Sequence, residues 1–124
     1  MKRSIFLLIS AVFSGLVAVS SLFIPEQIAA GFGMIPSPED VFLMREIGAF
    51  SLATFLLNFL ARNEPDSKTL NVILIFNMAY HLVMGVLNIL GMAQGIFTLT
   101  QMLPVMVIHL FIGLGSYLYM RKIK

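Results

Sequence analysis

The chain has no cysteine and no tryptophan, and only 11% of its 124 residues are charged. Without cysteine there is no disulfide, no thiol redox relay and no thiolate metal site. Without tryptophan, interfacial anchoring falls to Tyr117, Tyr119 and the basic residues beside them. Catalytic patterns are missing as well. There is no glycine-rich phosphate loop, no Ser–His–acid arrangement on loops, and no carboxylate pair spaced for acid–base work. What remains is apolar: 59% of residues are hydrophobic and the mean hydropathy is +0.95, which fits a chain whose solvent is mostly lipid.

That apolar content falls in four stretches, residues 4–24, 41–61, 70–93 and 101–120. Each is long enough to cross a hydrocarbon core of about 30 Å at about 1.5 Å per residue. Of the eight Lys and Arg residues, all but Arg45 lie on one side of these stretches. Lys2 and Arg3 precede the first, Arg62 and Lys68 join the second to the third, and Arg121, Lys122 and Lys124 follow the fourth. Short-loop Lys/Arg bias sets orientation, so both termini and the middle loop are predicted to be cytoplasmic. The net charge of +2 is spread over those three segments, which reads as a topology signal and contact with anionic headgroups rather than a nucleic-acid surface. Lys2-Arg3, an apolar run and Ala18-Val19-Ser20 also resemble a cleavable signal peptide. The run continues through Leu22-Phe23-Ile24, however, so the first stretch is expected to stay as a span.

The connections carry turn and capping signals. The outer loop 25–40 is broken by Pro25, Gly31, Gly33, Pro36 and Pro38, with room for one short interfacial turn at residues 26–30. Ser37-Pro38-Glu39-Asp40 reads as a helix start: N-cap, proline at the first helical position, then two acids. Asp66 or Ser67 is expected to cap the third span, and Pro104 to fall in the first turn of the fourth. Small residues at Ser10/Ser14, Ala11/Gly15 and Ser14/Ala18 give the first span a face for close helix packing. The predicted fold is all-α: a single domain forming an antiparallel up-down four-helix transmembrane bundle.

Four ionisable residues fall inside the spans, where such groups are costly and tend to be functional: Arg45, Glu46, His81 and His109. Asn77, His81, Met84 and Asn88 make one stripe on the third span, and His109, Gly113, Ser116 and Met120 make another on the fourth. Facing inward, the stripes would form a polar thread from the midplane outward, ending near Asn88, Arg45 and Glu46. The candidate ligand-binding set is therefore Arg45, Glu46, Asn77, His81, Asn88 and His109. Arg45 would suit an anionic or polar group, or simply snorkel to the headgroups. The histidines have three readings: hydrogen bonds between helices, a small-molecule or proton-coupled site, or bis-His ligation of a haem in a gap opened by Gly85 and Gly113. No metal site and no catalytic residue is predicted.

Leu22-Phe23-Ile24-Pro25, the loop Gly31-Phe32-Gly33, Met44-Arg45-Glu46-Ile47-Gly48-Ala49-Phe50, Ala61-Arg62, Tyr80-His81 and Ile108-His109-Leu110 come in an order that resembles the DoxX-like small four-helix bacterial membrane proteins. The resemblance implies a four-helix bundle in a bacterial inner membrane. It also brings in quinone-side redox complexes, to which DoxX-like proteins have been linked. The leading expectation is a non-enzymatic membrane protein whose outward-facing cleft binds a lipid-like or small amphipathic ligand. The alternatives are a haem- or quinone-associated redox subunit using His81 and His109, and a structural accessory subunit. The expected partners are the lipid bilayer, the amphipathic ligand, and either a second copy of the chain in a homo-oligomer or another membrane protein.

Overall fold

The computed structural model describes residues 1–123, and every regular element among them is a helix. In chain order these are α1 (Arg3–Phe23), α2 (Pro25–Gly31), α3 (Pro38–Ala61), α4 (Lys68–Ala93) and α5 (Leu99–Met120). The chain divides into two compact units, Met1–Asn63 and Glu64–Lys124. Three helices, α1, α4 and α5, are long and apolar enough to cross a membrane. The fourth expected span, in α3, is not among them. It is the least apolar of the four long helices, with Glu39, Asp40, Arg45 and Glu46 all in its first half.

In the first unit α3 runs back along α1. Gly48 lies against Leu22 and Ser21 near the end of α1, and Gly15 faces Phe55 further down both helices. The approach is close: a Cβ added at Gly48 would stand 2.8 Å from Leu22 Cγ and 3.0 Å from its backbone nitrogen. The small residues predicted to form a packing face on α1 do so, with Ser10, Ala11, Ser14 and Ala18 all buried. α1 packs on α3, whose buried residues are Gly48, Ser51, Thr54, Asn58 and Ala61. Those recur at the three- and four-residue spacing of a single helix face.

The start of α3 is set by local chemistry. Ser37 Oγ accepts from Asp40 N at 3.2 Å, and Asp40 Oδ2 accepts from Ser37 N at 2.9 Å, a reciprocal capping box with Pro38 at the first position. The bonds from the Ser37 backbone and hydroxyl hold the Asp40 carboxyl below its ordinary pKa. At the other end, Arg62 Nη1 donates to Phe59 O, and its guanidinium lies 3.7 Å from the centre of the Phe59 ring. The expected interfacial turn is the short helix α2, closed by Gly33 at φ 77°.

The second unit is a helical hairpin. Gly91 packs near Phe97 beside the turn, while Leu82 and His81 meet Gly113 deeper in, so α4 and α5 are antiparallel. Ser67 caps α4, accepting from Leu70 N at 3.1 Å. On α5 the expectation needs correcting. Thr98 and Gln101 form a second capping box, so the helix begins at Leu99 and Pro104 sits beyond its first turn. There the ring removes the bond that residue 104 would otherwise donate to Thr100 O.

Both units share an inverted distribution of polarity. Asn58 and Asn77 are 0% exposed, whereas Phe23 and Leu60 are 77% and 74% exposed. Serines, threonine, asparagines and histidines fill the seams, and Leu, Ile, Val and Phe cover the outside. A water-soluble helical protein has the opposite order; helices packed in lipid join through small and polar residues.

Candidate functional site

His81 and His109 come together in the hairpin seam, 2% and 6% exposed. Their Nδ1 atoms are 2.8 Å apart, and the ring centroids are 5.0 Å apart at a tilt of 45°. Tyr80 stands edge-on to both, at 4.9 Å from the His81 centroid and 6.4 Å from that of His109. The approach depends on Gly113, where a Cβ would lie 3.1 Å from Leu82 Cδ2 and 3.5 Å from His81 Cβ. Gly113 therefore brings the helices together rather than opening a gap.

An Nδ1–Nδ1 hydrogen bond admits one proton, so one ring donates and the other accepts. No Asp, Glu, Lys or Arg lies between Lys68 and Arg121, so the hairpin has no counter-ion for an imidazolium. The pair is thus two neutral rings in complementary tautomers: the donor keeps a bare Nε2 and the acceptor carries Nε2–H.

This geometry does not fit a haem. Two imidazoles on opposite faces of a porphyrin would stand about 4 Å apart, allowing about 2 Å for each metal–nitrogen bond. At 2.8 Å the two nitrogens share a proton directly, and no ring system fits between them. Among the described residues no group of three or more His, Cys, Asp or Glu is placed to hold a metal ion.

Of the expected α4 stripe, Asn77 and His81 are buried and Met84 and Asn88 are half-buried. Asn77 is buried one turn before His81, Gly85 is buried one turn after it, and Asn88 is partly covered one turn further. A Cβ added at Gly85 would meet nothing within 4 Å, so there is open room beside it, between His81 and Asn88. Four fully buried side-chain atoms of the hairpin have no hydrogen-bond partner: Asn71 Oδ1, His81 Nε2, Asn88 Nδ2 and Ser116 Oγ. Each costs about 1–3 kcal/mol if left so. In the first unit several seam groups are paired within their own helices. Ser10 and Ser14 donate to Phe6 O and Ser10 O, Thr54 to Phe50 O, and Asn58 Nδ2 to Thr54 O, so these groups are satisfied by their own helices.

Of the six predicted ligand-binding residues, Asn77, His81, Asn88 and His109 lie in this hairpin. Arg45 and Glu46 belong to the first unit, where both side chains are exposed on α3. Asn71 and the buried Ser51, Thr54 and Asn58 of α3 lie outside the predicted set. The spacing of the last three matches that of the histidine stripe and is the signal that would have found them.

Comparison with family models, curated proteins and solved structures gives no match to this chain.

Proposed function

We propose that the chain is a non-enzymatic integral membrane protein that holds a small amphipathic, lipid-like ligand in its α4–α5 hairpin. The observation that carries this reading is the open room beside Gly85, flanked on α4 by His81 and Asn88, each with a buried atom lacking a partner. A hydrogen-bonding head group entering between these residues would relieve those losses, and its apolar remainder would lie among the residues covering the helices. The stretch between Lys68 and Arg121 has no charge to pair with an ionic head, which favours an uncharged one. In the same reading α3 also crosses the bilayer, giving four spans with both termini inside, and the protein resides in a bacterial inner membrane as the DoxX-like resemblance implies.

The test is native mass spectrometry of the protein released in mild detergent with its endogenous lipids. Wild type is expected to carry a defined adduct, and Gly85→Leu, which fills the open room, to lose it while its helical circular dichroism is unchanged. An adduct of equal occupancy in Gly85→Leu, or a bare mass for wild type, would overturn the assignment.

A further inference from the structure

Arg45 and Glu46 are adjacent, opposite in charge, exposed, and without a hydrogen bond or ion pair among the described residues. Around them α3 is apolar. Helical spacing puts Phe42, Ala49, Ala53 and Leu56 on the face that bisects the two charges, and all four are exposed. This face lies opposite the Gly48–Ser51–Thr54–Asn58 seam that packs on α1. A charged pair on an apolar helix surface is costly in lipid, and partners of opposite charge relieve that cost. The chain's other long helices offer none within their lengths: α4 and α5 have no charged residue between Lys68 and Arg121, and α1 has none after Arg3.

We infer that this face of α3 is an interface with a second copy of the same chain. Adjacent residues lie at nearly the same depth, with an axial offset of about 1.5 Å. A two-fold axis along the membrane normal therefore places Arg45 of one copy level with Glu46 of the other, and Glu46 level with Arg45, closing two ion pairs from one dipeptide. Ala49 and Ala53, four residues apart, let the two α3 backbones approach closely just below the charges. Charge complementarity selects this occupant: the sequence Arg-Glu is its own complement under two-fold symmetry, whereas an apolar partner would leave both charges unpaired.

The inference is tested with the full chain in nanodiscs or mild detergent, its mass read by native mass spectrometry and its association by energy transfer between differently labelled copies. Wild type is expected to be dimeric. Arg45→Glu, with two acids, and Glu46→Arg, with two bases, are each expected to be monomeric alone and to form a mixed dimer when combined. The double variant Arg45→Glu/Glu46→Arg restores self-complementarity at unchanged composition and is expected to dimerise as wild type does, which guards against misfolding of the single variants. A monomeric wild type, single variants as dimeric as wild type, or failure of the two single variants to associate with each other would overturn the inference. So would a different protein held at this face in place of a second copy.

Discussion

At the scale of the residue, the hairpin is decided by one shared proton. The 2.8 Å Nδ1–Nδ1 contact forces His81 and His109 into opposite tautomers. His81 Nε2 is buried without a partner, and an orphaned N–H is costlier than an unused lone pair. His81 is therefore the donor through Nδ1, and His109 carries its second hydrogen on Nε2. Nitrogen-15 spectra of the imidazoles in detergent micelles should show one ring protonated at Nδ1 and the other at Nε2. Two rings in the same tautomer would contradict the contact. The sequence placed both histidines near mid-span on inward stripes. It did not reveal that they touch, because contact depends on the register of the hairpin, in which Gly113 packs closely on Leu82.

At the scale of the element, the glycines separate close packing from open room. A methyl at Gly48 would stand 2.8 Å from Leu22 Cγ and 3.0 Å from the Leu22 nitrogen, so α1 and α3 would have to part. Gly48→Ala should cost about 1–3 kcal/mol, the range for overpacking a tight contact. At Gly85 a methyl meets nothing, and Gly85→Ala should stabilise α4 by up to about 1 kcal/mol through helix propensity. Thermal unfolding in one detergent, followed by circular dichroism, checks both signs. Element boundaries were legible where their chemistry is local. Ser37-Pro38-Glu39-Asp40 announces α3, and its capping box forms as those residue types dictate. Thr98 lies in an uncharged, turn-like stretch with no apolar contrast, so hydropathy starts the span at residue 101, two residues inside the true start at Leu99, and sets Pro104 that much too near the beginning. Asn58 was hidden for the opposite reason: one amide in a long apolar run carries no contrast until its spacing from Ser51 and Thr54 is laid on a helix.

At the scale of the whole molecule, polarity is reversed between inside and outside. Hydropathy made the apolar helices plain, since length and composition need no tertiary information. The polar seams were less plain, because in lipid both the interior and the surroundings are apolar and periodicity loses its contrast. Within each unit the helices pair antiparallel, α1 with α3 across the segment that holds α2 and α4 with α5 across a short turn. The dimer proposal requires α3 to traverse the bilayer although its first half holds four charged residues. Because the chain lacks cysteine, single cysteines can be introduced without background and probed with a membrane-impermeant maleimide. Cysteine in place of Ser37 should react from the outer face of intact bacterial cells, and cysteine in place of Asn63 only after the membrane is opened. Labelling of both positions from the same face would contradict a spanning α3, and with it the account of how this chain lies in the membrane.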